Sequence, residues 1–140
     1  MIELFKTAVE EVFDQTFGMK PRPCERVPSE RGYTAQIPFS DGTRDYIARV
    51  WVEKPALEKM ARVLLMEENP DETTLEDLTA ELANFIVGHA KMVASDRDLP
   101  YEMQTPSFTG MQSIEKSEPT LLFGLDDDRC LALELKETHG

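Results

Sequence analysis

The chain has 140 residues, 41% apolar and 30% charged, with a net charge of −12. That length suits one domain with a real core, and the composition is too apolar for a disordered chain. The acidic balance argues against nucleic-acid binding, which needs clustered Lys and Arg at the phosphates. Cys24 and Cys130 fit no metal spacing, His89 and His139 are too few for a metal site, and no run is apolar enough for a signal peptide or a membrane span. The expectation is one domain over residues 1–140 in the reducing cytoplasm, both thiols free, with no metal and no membrane contact.

In chain order, Ile2, Phe5, Val9, Val12, Phe13 and Phe17 recur at helical spacing and predict an amphipathic helix over 2–17 with those residues in the core. Gly18 stops it, and Pro21 and Pro23 prevent resumption. A short edge strand is expected around 24–28. Two β-rich runs, 33–39 and 45–52, flank Ser40-Asp41-Gly42-Thr43 and read as a β-hairpin. Pro38 suits an edge or a bulge better than a central strand. Pro55 opens a helix over 55–67 that buries Leu57, Met60, Ala61, Leu64 and Leu65. After Asn69-Pro70-Asp71, Thr73 with Glu76 reads as a capping box for a long helix to about Ser95. Strands are expected over 101–110, 110–114, 120–125 and 130–135, with Asp126-Asp127-Asp128 as the last turn, and residues 130–135 alternate as a half-buried strand. Strands joined by tight turns give a mainly antiparallel sheet against two or three long helices, an α+β fold.

The long helix is the informative element. With Glu81 set at zero on a helical wheel, Asp77, Asn84, Gly88 and Lys91 lie within about 80° to one side of it. The larger apolar side chains lie on the other side. Glu81 and Asn84, at i and i+3, stand side by side on this narrow polar strip. Asn is a poor helix former, and Gly88 costs about 1 kcal/mol relative to Ala. Two readings of Gly88 stand level: another protein's backbone comes close to it, or a neighbouring element of this chain does. Between Val63 and Ala90 lie seven acidic residues and no Lys or Arg. That run is either a solvated face or a surface that steers a basic partner.

Several enzyme classes are set aside, since there is no glycine-rich phosphate loop, GxSxG, HExxH or CxxC. A thiol nucleophile would have to be Cys24 or Cys130, both in or near predicted strands, where a buried structural thiol is the commoner case.

Residues 81–91, Glu-Leu-Ala-Asn-Phe-Ile-Val-Gly-His-Ala-Lys, resemble the ExxN helix of the CheC/CheX/FliY chemotaxis phosphatases, and most of all the CheX-like branch, where the run is similar to E-L-A-N-M-I-x-G-N-A-K. Pro106-Ser107-Phe108-Thr109-Gly110 resembles the segment that follows that helix. The resemblance implies a CheC-like α/β sandwich and hydrolysis of the phospho-aspartate of a CheY-like response regulator. It implies that Glu81 pairs with a regulator lysine, that Asn84 orients the attacking water, and that Asp77, Gly88, His89 and Lys91 border the docking surface. The Mg²⁺ would be the regulator's, with no cofactor in this chain. Two departures are visible: His89 stands where the branch has a second Asn, and Phe85 where Met is frequent. His89 could alter docking or make activity respond to pH. A single ExxN motif favours the CheX-like branch, for which a homodimer through sheet edges is implied. The alternative is a non-catalytic module that binds or dimerises through the same elements.

Overall fold

The computed structural model describes residues 1–24, 30–114, 120–125 and 129–138. The expected turn at Asp126–Asp128, His139, and most of the expected strand at 24–28 lie outside them. Helix α1 spans Ile2–Val12 and continues as a π-helical turn over Phe13–Phe17. Gly18 ends that turn at φ 64°, a conformation glycine adopts without steric cost. Phe5, Val9, Val12, Phe13 and Phe17 are buried as expected, whereas Ile2 is exposed.

The chain then forms β1 (Arg22–Pro23), β2 (Gly32–Ser40), β3 (Asp45–Val52), α2 (Lys54–Leu65), α3 (Glu72–Asp96), β4 (Glu102–Met103), β5 (Ser107–Gln112), β6 (Thr120–Gly124) and β7 (Cys130–Thr138). Among the described residues these strands make one seven-stranded sheet in the order β1-β6-β7-β3-β2, with β4 and β5 both on the far side of β2. Every pairing is antiparallel. The α+β expectation therefore holds.

The β2–β3 hairpin forms as read. At its turn Asp41 Oδ1 accepts from the backbone N–H groups of Thr43 at 2.9 Å and Arg44 at 2.8 Å. Pro38 sits in a strand paired on both sides, yet it falls where β4 (opposite Phe39 and Ser40) gives way to β5 (opposite Gly32 to Gln36). Its carbonyl accepts from Gln104 N at 2.9 Å on that side. A residue's N and O face the same edge of a strand, so the missing proline donor faces this gap and no bond to β3 is lost.

The expected strand over 101–110 is two strands. Pro106 interrupts pairing between them, and β5 runs through Gly110 to Gln112. Thr109 is an extra residue opposite the Thr34/Ala35 step, and Gly110 takes φ 96° at this bulge.

Both faces of the sheet are covered. One carries Tyr33, Ala35, Ile37, Ala48, Val50, Val52, Leu131, Leu133 and Leu135, which pack with the three helices. The other carries Trp51, Cys130 and Ala132, with Cys24, Ile114 and Leu122 against them. Trp51 Nε1 donates to Gln112 O at 2.8 Å, and Arg49 pairs with Glu134 at 2.9 Å while also bonding Gln112 and Ser113 O. These contacts fold the end of β5 across the second face. Residues 130–135 are consequently all buried, rather than alternating. Cys24 is half-buried and Cys130 buried in this second cluster.

Candidate functional site

The site is built on α3, and its start is fixed by three contacts. Asp71, not Thr73, is the N-cap: its carboxylate accepts from Thr74 N at 2.8 Å, and Thr73 already lies within the helix. That bond and the Thr74 hydroxyl hold the Asp71 carboxyl below the usual aspartate range. Tyr33 of β2 donates its hydroxyl to Glu72 in the first turn. Burial, then the Glu72 carboxylate, pushes the Tyr33 phenol above its ordinary range, so it stays a neutral donor. Inside the helix, Thr79 Oγ1 donates to Leu75 O at 2.7 Å.

Leu75, Leu78, Leu82, Ala83, Ile86, Val87, Ala90 and Ala94 are buried against the sheet and the other helices. The opposite face is left open, and it carries the polar strip. Asp77 and Glu81 are exposed, while Asn84, Gly88 and Lys91 are half-buried. Glu81 and Asn84 are separated by about 4.5 Å of helical rise, so one docking surface can meet both.

The structure separates His89 from the others. Its ring turns to α1, where Nε2 bonds Glu11 Oε2, and its side chain is only 11% exposed. On an ideal helix His89 lies about 140° from Asn84, so its side chain is not beside the amide.

Gly88 resolves differently. A Cβ built there would meet only Met103 Sδ at 3.8 Å and Cε at 4.0 Å, ordinary contacts with the end of a flexible side chain. Gly88 is also absent from the residues with positive φ. Neither packing nor backbone conformation within the described residues calls for glycine.

Three further apolar side chains bear on this part of α3. Phe85 and Met103 are partly buried on the core, and Met92 is 53% exposed one turn beyond Gly88. Met92 is expected with the apolar residues on the far side of the helix, but it lies about 20° from Glu81 on the wheel and is exposed beside the strip. Met103 comes from β4, and nothing in the local pattern brings it to α3.

The strip lies on the side of α3 that the core leaves open. A cleft of about 280 Å³ between α1 and β6, lined by Ile2, Lys6, Leu121 and Phe123, lies elsewhere. Small-molecule sites are concave and enclose the ligand, whereas an acid and an amide on the open side of a helix can meet a concave site on a partner. Among the described residues no three His, Cys, Asp or Glu side chains are grouped to hold a metal, and no helix is long and apolar enough to cross a membrane.

The family model for the chemotaxis phosphatase CheX matches residues 33–124, which include the whole of α3. The chain belongs to the CheX family. No curated protein matches it by sequence. Among solved structures, the chemotaxis protein CheX of Vibrio vulnificus is 14% identical, with a TM-score of 0.80 over 98% of this chain and 95% of that one. A CheC-like protein from Shewanella sp. PV-4 is 20% identical, with a TM-score of 0.78 over 99% and 97%. The CheX-CheY-BeF3-Mg²⁺ complex of Borrelia burgdorferi gives 16% identity and a TM-score of 0.72 over 99% and 97%. At such identities the structural likeness shows the shared fold. The CheX-family chain thus has its acid-amide pair on the exposed face of its longest helix, with the flanking His89 turned inward.

Proposed function

We propose that this CheX-family protein hydrolyses the phospho-aspartate of a CheY-like response regulator. The observation that carries the reading is the pair of exposed Glu81 and half-buried Asn84 on the open side of α3, in a chain of a phosphatase family. The Borrelia structure with a similar fold is a complex of CheX with CheY, which supports a regulator of that kind as the partner.

In this reading Glu81 forms an ion pair with a lysine of the regulator and fixes the register of the two proteins. Asn84 enters the regulator's site, where its carboxamide can donate to one group while accepting from the water. Water attacks phosphorus, the bond to the aspartate oxygen breaks, and inorganic phosphate leaves the regenerated carboxylate. Phosphoryl transfer depends on in-line positioning and charge stabilisation more than on covalent chemistry by the enzyme, so a correctly held amide suffices on this side. The Mg²⁺ is assigned to the regulator, which supplies the charge stabilisation at the phosphoryl group.

Glu67, Glu68, Asp71, Glu72, Asp77 and Glu81 are exposed along the α2–α3 loop and the first half of α3. Such a one-signed surface speeds encounter with a basic partner patch. Asp77 and Lys91 flank the pair and border the docking surface. The reading places the protein in the cytoplasm with its regulator, and includes a homodimer formed through sheet edges.

The test is the decay of phosphorylated regulators from the same genome, with and without this protein. Acceleration of one of them is the expected result. If none decays faster, the phosphatase reading fails; association without acceleration would establish the non-catalytic module instead.

A further inference from the structure

We infer that the end of α2 is a docking surface for a basic amphipathic helix of a partner protein, separate from the acid-amide strip of α3. The inference does not depend on the regulator reading.

Three of the large apolar side chains exposed on the described surface fall within four consecutive residues. Val63 is 48% exposed, Leu65 45% and Met66 87%. Spacing along α2 predicts both Leu64 and Leu65 for the core, yet of the two only Leu64 packs against it. Single exposed apolar residues are ordinary on a protein surface, whereas a contiguous group marks a contact surface. Met66 ends α2 in left-handed backbone at φ 58°, a position where glycine or asparagine is usual. Its thioether adds nothing to the core and offers an adaptable contact to whatever meets it.

The charge around this group defines its occupant. Glu67, Glu68, Asp71 and Glu72 follow it and are exposed, and no Lys or Arg occurs between Val63 and Ala90. On the other side stand Lys59 and Arg62 of α2, which repel a cation, so the occupant's basic side chains turn toward the start of α3. A purely apolar occupant would desolvate the carboxylates without pairing them, and a purely basic one would leave the apolar group in water. A segment with both, Lys or Arg beside Leu or Met, satisfies the two halves together. The surface is made of helix and loop side chains rather than a strand edge, so the occupant must satisfy its own backbone bonds, as a helix does. Glu72 precedes Glu81 by about 13 Å of helical rise, which keeps the two surfaces apart.

The experiment titrates the full chain with a synthetic peptide of about 18 residues, Leu on one helical face and Lys on the other. Two further peptides replace every Leu by Ser or every Lys by Glu. Amide shifts in the nuclear magnetic resonance spectrum should move around residues 63–72, and each replacement peptide should bind roughly tenfold more weakly or worse. Met66→Gly should keep or raise Tm, because glycine takes the left-handed cap freely, and should weaken the Leu/Lys peptide roughly tenfold. Glu67→Lys with Glu68→Lys should weaken it as much, with a loss that shrinks in high salt. Shifts centred on another surface, unchanged affinity in Met66→Gly, or equal binding of the Ser peptide overturns the inference. Self-association that Met66→Gly removes would place a second copy of the chain on the patch. Binding of a beryllofluoride-loaded regulator that Met66→Gly weakens as much as Glu81→Ala does would make the patch part of the regulator interface. Either of these results also overturns the basic helix as occupant.

Discussion

His89 of α3 is hydrogen-bonded to Glu11 of α1 on one flank of the helix, while Met103 of β4 lies against Gly88 on the other. The buried face of α3, with Leu75, Leu78, Leu82, Ile86 and Ala90, fixes the helix's rotation against the sheet and the other helices. Exposed Glu81 and half-buried Asn84 lie on the side that this packing leaves open.

His89→Ala should therefore lower stability by about 1–2 kcal/mol, from one lost hydrogen bond and the packing of a nearly covered ring. Glu11 is 43% exposed, so its freed carboxylate regains water and adds little to the loss. Denaturant unfolding measures the effect. If His89 instead contacts the regulator directly, His89→Ala and Glu11→Ala will differ strongly in regulator affinity while matching in stability.

Asn84→Ala should abolish regulator dephosphorylation while leaving association within a few-fold of wild type, because the amide acts on water rather than on docking. Glu81→Ala should reduce association as well as turnover, and its effect should shrink as salt is raised, since an exposed ion pair is screened. Calorimetry at two ionic strengths beside a phosphate-release assay separates the two residues. Equal loss of binding in both variants would contradict the division of roles.

Gly32→Ala should destabilise by about 1–3 kcal/mol, since its Cβ would overlap the buried Trp51 ring and the ring or the strand must move. The chain has a single tryptophan, so the shift shows directly in the emission spectrum and in the melting curve. A spectrum and Tm like wild type would mean that Trp51 has room to yield.

Acid should loosen the start of α3 first. The Asp71 carboxyl lies below its ordinary value in the folded chain, so its contribution is present above the unfolded carboxylate range and disappears as pH falls through the lowered folded value. Asparagine caps a helix about as well as aspartate but does not titrate. Asp71→Asn should match wild type near neutral pH and lose less stability in acid, as followed by helix signal during an acid titration. An identical acid limb would show that other carboxylates set it.

The sequence was most readable where a local rule acts alone. Asp41-Gly42 between two β-rich runs placed the hairpin within a residue at each end, and the apolar spacing of α3 identified its buried face. Where two rules competed, the nearer residue misled. Thr73 and Glu76 match a capping box, yet Asp71 follows Pro70 in extended backbone and its carboxylate accepts from Thr74 N, so the helix starts two residues earlier. Contacts from distant segments were beyond local pattern: Glu11 meets His89 across 78 positions, and Met103 reaches Gly88 from another element. The burial of Cys130, Ala132 and Glu134 follows from a covering segment at the end of β5 that strand alternation cannot reveal.

The interruption at Pro38 has a bearing on unwanted self-association. An unbroken strand border is a template on which any extended chain can lay itself down. Beyond β2 this sheet presents instead a two-residue strand and a six-residue strand with a bulge, separated at a position that has no amide hydrogen. Such a border offers an incoming strand only short, interrupted rows of N–H and C=O groups. The flank beside the functional helix therefore favours a partner of matching shape over indiscriminate strand addition.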